Sequence, residues 1–147
     1  MKPIVNIRKV QTTDKDEYLR MRQALWPASY HQAELEQFFQ QREWTTFVAE
    51  RENGSLCGFL EVGERPWAEG CESSPVGYIE GWYVDPDAQR QGVGKKLVEA
   101  AEAWAREQGF TEMGSDALTQ NETSLKAHTA LGYKEIEQVV AFAKRLK

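Results

Sequence analysis

Two glycines after a polar loop are the most informative feature of this 147-residue sequence. Gly92 and Gly94 follow a β-rich stretch that ends at Asp85, and they precede a run with helical spacing. Glycine lets a ligand approach the backbone closely, and a helix start directs unpaired N–H groups and the positive end of its dipole outward. Such a turn can hold a pyrophosphate. Three nearby cations would add to its positive charge: Arg90, Lys95 and Lys96.

The glycine pair alone leaves an alternative open, because a glycine-rich helix start without any ligand fits the same residues. Two nucleotide-binding motifs do not fit. A P-loop needs four residues between its first glycine and Gly-Lys-Ser/Thr, and the dinucleotide fingerprint needs a third glycine.

The elements that must position this turn follow a mixed α/β order. Apolar alternation, helical spacing and turn residues predict strands over residues 3–10, 45–51, 55–63, 78–84 and 112–116, and helices over 14–26, 32–42, 93–108 and 121–131. We expect Thr13 with Asp16 or Glu17 to cap the first helix, Asn53-Gly54 to close a hairpin, and residues 64–77 to form a loop. The tail, 133–147, is predicted as one or two strands. The order predicts a single α/β domain, residues 1–147, around one sheet.

Composition limits the class of partner. The chain has 18 basic and 23 acidic residues, hence a net charge of −5, and 41% hydrophobic residues are enough for a packed core. The acidic balance argues against nucleic acid and favours a cationic small molecule.

No run of 18 apolar residues predicts a membrane span, and the N-terminus becomes charged too soon for a signal peptide, so we expect a cytoplasmic protein.

Metal binding is not expected. Cys57 and Cys71 lack metal-ligand spacing, and His31 and His128 are far apart in sequence. We expect both thiols to be reduced.

The glycine turn resembles the acyl-CoA signature of the GNAT superfamily of N-acetyltransferases. The resemblance rests on Gln89-x-x-Gly92-x-Gly94 after Tyr83-Val84, and on Asn121 with the helix 124–131 that closes at Leu131-Gly132-Tyr133. It implies a GNAT fold, with a central mixed, mostly antiparallel sheet flanked by about four helices, and acetyl-CoA as co-substrate. It also implies the residues that bind CoA: the backbone of Trp82, Tyr83 and Val84 for the pantetheine, Arg90, Gln91, Gly92, Val93, Gly94 and Lys95 for the pyrophosphate, and the Asn121 side chain further along.

Shorter matches make the chain similar to the aminoglycoside 6'-N-acetyltransferases. They are Leu25-Trp26-Pro27, Gly70-Cys71-Glu72-Ser73-Ser74-Pro75, Glu80-Gly81, Ser115-Asp116 and His128-x-x-Leu131-Gly132-Tyr133. The resemblance implies acetylation of the 6'-amino group of a cationic aminoglycoside, and a homodimer. The acceptor residues it implies are the carboxylates Glu80, Asp116 and Glu137, with Trp26 and Trp67 as walls.

Each acceptor residue also has a structural alternative, and for Glu80 and Asp116 it is a solvated carboxylate without a ligand. Trp26 can be a core residue at a helix end, and Glu137 a solvent-facing strand position. Trp67 lies in a polar loop, where an exposed indole suggests sugar stacking or a subunit contact. Strand alternation places Glu80 and Trp82 on one face of their strand.

Acetyl transfer needs a deprotonated amine, a polarised thioester carbonyl and a proton for the leaving thiolate. No Ser or Cys lies in a nucleophile elbow, so we expect direct attack in a ternary complex. Glu80, through a water, is the candidate that collects the amine proton, and a backbone N–H near Val84 would polarise the carbonyl. Many GNAT relatives have a tyrosine acid where this chain has His128, so catalytic and structural roles of His128 both stay open.

Two other functions fit the same sequence. A GNAT enzyme that acetylates polyamines or peptide amines would prefer spermidine, and a non-catalytic acyl-CoA sensor would bind CoA without turnover.

Overall fold

The structure is a computed structural model that describes residues 4–27 and 44–147. Its strands are β1 (Val5–Lys9), β2 (Trp44–Arg51), β3 (Leu56–Arg65), β4 (Val76–Val84) and β5 (Met113–Ser115), and its helices are α1 (Lys15–Leu25), α2 (Val93–Glu107) and α3 (Glu122–Ala130). Short 3-10 turns, Thr12–Asp14 and Pro86–Ala88, precede α1 and α2. The predicted helix 32–42 lies outside the described residues.

The five strands form one sheet in the order β1-β2-β3-β4-β5. The first three pairings are antiparallel and β4–β5 is parallel, which confirms the predicted α/β class with a mixed, mostly antiparallel sheet. Asn53 accepts a hydrogen bond from the Ser55 N–H at 3.0 Å in the turn between β2 and β3. The predicted hairpin is therefore confirmed.

The helices α1 and α2 pack on opposite faces of the sheet, and β3 is therefore buried on both faces over Leu56–Gly63. On the α1 face, Tyr18 and Met21 pack with Phe59. On the α2 face, Leu97 lies beside Gly58 and Ala105 lies beside Gly77. Helix α2 carries its buried residues at helical spacing, as the sequence predicted.

The start of α1 differs from the prediction. The helix begins at Lys15, and Asp14, rather than Thr13, is the residue before it. The Asp14 carboxylate accepts a hydrogen bond from the Gln11 N–H at 2.7 Å and pairs with Arg8. The Asp14 carboxylate is therefore bound to Gln11 and Arg8, which precede the helix, and it makes no capping hydrogen bond to α1.

The residues up to Asp116 form one compact unit, and Ala117–Lys147 form a second. In the second unit, α3 is present as predicted, but residues 134–147 contain no strand, so the predicted tail strands are wrong for this structure. Their apolar side chains are exposed, with Val140 at 76% and Phe142 at 92%. A strand is stable only when its backbone groups are paired, and alternation in the sequence supplies no pairing partner. The single-domain extent remains a prediction.

No helix within the described ranges is long and apolar enough to cross a membrane. The two cysteines, Cys57 and Cys71, are free thiols.

Candidate active site

The turn between β4 and α2 is anchored at its start. Asp85, directly after β4, donates its N–H to the Cys57 carbonyl at 2.7 Å, and its carboxylate accepts two hydrogen bonds from Arg20. The Gln89 amide donates to the Val84 carbonyl at 3.1 Å. These contacts hold the turn against the end of β4.

The helix start leaves N–H groups available. Gly92 is the residue before α2, with a φ of 85°, and glycine has no side chain that could accept from the first turn. The first hydrogen bond of the helix is donated by the Lys96 N–H to the Gly92 carbonyl at 3.1 Å. The N–H groups of Val93, Gly94 and Lys95 precede it and face away from the helix body. This geometry fits a pyrophosphate.

Gly94 lies close to a tryptophan of β4. A Cβ at position 94 would lie 3.2 Å from Cζ2 of Trp82, so the first turn of α2 packs directly on the Trp82 indole. Trp82 therefore points towards the α2 face of the sheet, where its indole contacts the first turn of the helix.

Strand β4 has one edge that is only partly covered. Strand β5 pairs with Gly77, Tyr78 and Ile79. Beyond Ile79, no strand in the described part of the chain pairs with β4 on this edge, while β3 pairs with the other edge up to Val84. An extended ligand arm could add to β4 here by strand-like hydrogen bonds. The opening lies next to the start of α2.

A β-bulge at Glu80 corrects the predicted face assignment. Glu61 pairs with Gly81 and Val62 pairs with Ile79, so Glu80 is an extra residue without a partner in the β3 register. The bulge breaks the alternation of side chains. Glu80 contacts Arg65 on the face away from α2, whereas Trp82 lies against α2. The expectation that Glu80 and Trp82 share a face is therefore wrong.

Glu80 belongs to a charged and aromatic cluster. The Arg65 guanidinium donates to both of its carboxylate oxygens, at 2.9 and 2.7 Å, and its central carbon lies 3.5 Å from the Tyr78 ring centroid. Burial, and after it the charge of Asp116, raises the pKa of Tyr78 above its ordinary value. The structure thus brings two of the predicted acceptor carboxylates, Glu80 and Asp116, to one cluster around Tyr78.

The two predicted tryptophan walls differ in exposure. Trp26 is half-buried, packs edge-on against Phe59 at 6.3 Å, and lies against Gly81 next to Glu80. It has core contacts as well as a position beside the cluster. Trp67 is 65% exposed in the loop after β3. Stacking on a sugar requires an accessible indole face, and this exposure provides one.

A buried polar network that the sequence patterns did not predict lies next to Trp26. Arg22 forms an ion pair with Glu61, with Nε 3.0 Å from a carboxylate oxygen, and its guanidinium carbon lies 5.0 Å from the Trp26 ring centroid. Tyr18 donates to Glu61 and shares a 3.0 Å hydrogen bond with Thr46. Two signals could have indicated it: Glu61 stands between Leu60 and Val62 in an apolar strand, and Tyr18, Arg22 and Trp26 are spaced by four residues.

Three predicted residues belong to the second unit. The sequence offers Asn121 or Thr119 as the cap of α3, and the structure selects Asn121, because its side chain accepts from the Ser124 N–H at 3.1 Å. Nδ1 of His128 lies 2.8 Å from the Ser124 carbonyl oxygen, and its ring meets Tyr133 edge-on at 5.8 Å. Glu137 is exposed in the irregular tail rather than on a closing strand.

Comparison with known proteins supplies the family. The sequence model of the acetyltransferase (GNAT) family matches residues 15–133. An aminoglycoside N(6')-acetyltransferase type 1 from Klebsiella aerogenes is 44% identical over 146 residues, 95% of this chain and 96% of the relative. One from Stenotrophomonas maltophilia is 40% identical over 138 residues, 92% of this chain and 90% of the relative.

Solved structures agree with the sequence relatives. The crystal structure of the aminoglycoside 6'-N-acetyltransferase AAC(6')-Ih from Acinetobacter baumannii has a TM-score of 0.89 at 32% identity, and the match covers 98% of this chain and 100% of that one. AAC(6')-Iy in complex with the bisubstrate analogue CoA-S-monomethyl-acetylneamine has a TM-score of 0.88 at 34% identity, with 97% and 99% covered. The fold class that the resemblance implied is confirmed, with three helices in the described residues where about four were expected.

Proposed function

This chain belongs to the GNAT family of acetyltransferases, and from that premise we propose that it transfers the acetyl group of acetyl-CoA to the 6'-amino group of aminoglycoside antibiotics, which confers resistance. The observation that carries this function is the row of N–H groups at the start of α2 beside the open edge of β4, with Glu80 on the same strand. Strand β4 therefore leads to the phosphate-binding turn and also carries Glu80, the carboxylate for a cationic amine.

In this proposal, the turn over Arg90, Gln91, Gly92, Val93, Gly94 and Lys95 binds the pyrophosphate of CoA. The backbone of Trp82, Tyr83 and Val84 binds the pantetheine arm along the open edge. Asn121 binds further along the co-substrate. The support for the turn is its geometry: a glycine cap, outward N–H groups and exposed Lys95.

The acceptor is a polycation, and its proposed site is acidic and aromatic. Glu80 and Asp116 bind ammonium groups, Trp26 and Trp67 form walls against the sugar rings, and Glu137 adds a third carboxylate. A carboxylate gains most from an ammonium partner where water is partly excluded. The Glu80 side chain is 21% exposed, which supports this role.

The reaction is direct. The 6'-nitrogen attacks the thioester carbonyl, so that a C–N bond forms, the C–S bond breaks, and CoA leaves as a thiolate. The amine proton passes through a water to Glu80, and the thiolate takes up one proton. An N–H near Val84 stabilises the negative charge that develops on the carbonyl oxygen.

His128 has two alternative roles, one catalytic and one structural. As an imidazolium it could donate the proton that the thiolate takes up. Its Nδ1 contact with the Ser124 carbonyl and its ring contact with Tyr133 favour a structural role. A His128→Gln variant that keeps its melting temperature and loses turnover would favour the acid. A variant with unchanged turnover would favour the structural role.

We further propose a cytoplasmic homodimer. Acetyl-CoA is a cytoplasmic metabolite, and the free thiols Cys57 and Cys71 suit a reducing compartment. The exposed apolar side chains Val139, Val140 and Phe142 would be covered in a dimer. Light scattering of the purified protein should give twice the chain mass, and a monomeric mass at working concentrations would contradict the dimer.

A thiol-release assay across a panel of amines tests the function. We expect turnover with kanamycin and tobramycin, and none with an analogue that carries a hydroxyl at the 6' position. Equal turnover of both would show that the regiochemistry is wrong. Preference for spermidine would favour a polyamine enzyme, and tight CoA binding without turnover of any amine would favour a sensor.

A further inference from the structure

Arg65 is placed to control the carboxylate on which the proposed function depends. It is the last residue of β3, where it pairs in register with Val76 of β4. Its side chain reaches along β4 to Glu80, with Nε 2.9 Å from Oε2 and Nη2 2.7 Å from Oε1. Both oxygens of Glu80 thus receive one N–H from a single planar guanidinium, a geometry that fixes the orientation as well as the position of the carboxylate.

The guanidinium is itself held in place. Its central carbon lies 3.5 Å from the centroid of the Tyr78 ring, which is close enough for stacking. Tyr78 is buried, so its ring gives the guanidinium a rigid support. The pKa of Arg65 is raised mainly by its hydrogen bonds to Glu80, and the negative charge of Asp116 raises it further. Arg65 is therefore cationic at every pH at which the enzyme works.

The β-bulge explains why Glu80 needs this support. As the extra residue of β4, Glu80 has no cross-strand partner in the β3 register. Bulges redirect side chains and leave the extra residue less constrained by the ladder. The ion pair to Arg65 supplies the constraint that the ladder does not.

We propose that Arg65 is a positioning residue that orients the Glu80 carboxylate towards the acceptor amine. This inference rests on the proposed function. Each Glu80 oxygen has two acceptor directions, and the guanidinium occupies one of them. The other remains for the acceptor ammonium or for the water that relays its proton. The pair is also partly open, because the Arg65 and Glu80 side chains are 39% and 21% exposed.

Two substitutions separate orientation from charge. Arg65→Gln removes the charge and most of the fork, while Arg65→Lys keeps the charge and removes only the planar fork. Because misplacement of a reacting group by about 1 Å can cost about a hundredfold in rate, we expect both variants to lose at least about tenfold in kcat with a 6'-amino aminoglycoside. The KM for acetyl-CoA and the melting temperature should stay at wild-type values, which a general structural defect would not allow.

Arg8 provides the matched control. Two of its guanidinium nitrogens donate to the Asp14 carboxylate, at 2.8 and 3.0 Å. Arg8 lies on β1, however, which is an edge strand separated from β4 by β2 and β3. Arg8→Lys and Arg8→Gln should leave kcat unchanged.

Three results would overturn the inference. Wild-type kcat in both Arg65 variants would mean that the ion pair has no role. Wild-type kcat in Arg65→Lys alone would mean that charge, and not orientation, matters. Tighter aminoglycoside binding by Arg65→Gln with unchanged kcat would mean that the guanidinium competes with the acceptor. If the wild-type enzyme acetylates another amine instead, the proposed function fails, and the same variants tested with that amine still decide the role of Arg65.

Discussion

The Trp26 indole lies against Gly81 so closely that a Cβ at position 81 would come within 2.3 Å of its Cη2 atom. Trp26 follows α1 and Gly81 follows the bulged residue Glu80, so this contact joins the helix to the strand at the proposed acceptor site. No side chain can be added at position 81 unless the indole moves.

Gly81→Ala should therefore displace Trp26. We expect a loss of stability of about 1–3 kcal/mol from overpacking, a higher KM for the aminoglycoside, and an unchanged Kd for CoA. Trp26→Leu provides the background that tests the cause, because Gly81→Ala should cost much less there in chemical denaturation. Equal costs in both backgrounds would show that the indole is not the obstacle.

Glu80→Ala tests the catalytic carboxylate. Because general base catalysis typically contributes about 10²- to 10⁴-fold, we expect kcat/KM for the aminoglycoside to fall within that range while calorimetry gives a near-normal Kd for CoA. Glu64→Ala is the matched control, since Glu64 is an exposed carboxylate beside Arg65. An unchanged rate in Glu80→Ala would remove Glu80 from the mechanism.

The two ends of α2 allow a controlled test of the pyrophosphate turn. Gly92 and Gly109 have φ values of 85° and 89°, and a Cβ at either position would have no atom within 4 Å. Valine should strain both positions similarly. Only Gly92→Val should weaken CoA binding, by about tenfold or more if one charge-assisted hydrogen bond of about 1.5–3 kcal/mol is lost. Equal Kd values for CoA in the two variants would contradict the turn.

Glu112 should make stability depend on pH. Its carboxylate accepts from the Ser73 hydroxyl and from the N–H groups of Ser73 and Glu72, and these bonds lower its pKa below the ordinary 4.5. A lowered pKa stabilises the folded state above about pH 4.5, and this contribution is lost as the pH falls through the folded-state pKa. Glu112→Gln should therefore lower the melting temperature most at pH 7 and progressively less below pH 4.5. A pH-independent difference would show that the carboxylate charge is not involved.

The buried pair Arg22–Glu61 should matter more for stability than an exposed pair. The two side chains are 7% and 5% exposed. Removal of one partner leaves the other charge buried, which typically costs about 3–5 kcal/mol. We expect Arg22→Met to lose stability in that range in urea denaturation, and Asp87→Asn, which breaks the exposed Arg51–Asp87 pair, to lose little. Similar losses of stability in the two variants would mean that other groups stabilise the Glu61 carboxylate when Arg22 is removed.

Several features of this protein could be predicted because short segments specify them. The Asn53-Gly54 hairpin, the glycine cap at Gly92 and the amphipathic α2 each follow from residues within a few positions of one another, because turn, cap and helix preferences are local. The order of these elements was enough to predict an α/β domain around one sheet, and the Gly92–Gly94 pair was enough to predict the turn.

The side chains that meet across the sheet became known from the folded structure. The bulge at Glu80 depends on the register between β3 and β4, and one extra residue there reversed the predicted relation of Glu80 to Trp82. The ion pairs Arg65–Glu80 and Arg22–Glu61 join residues 15 and 39 positions apart. Such contacts arise from packing and pairing between distant segments, and spacing along the chain can mark one partner of a pair but does not identify the other.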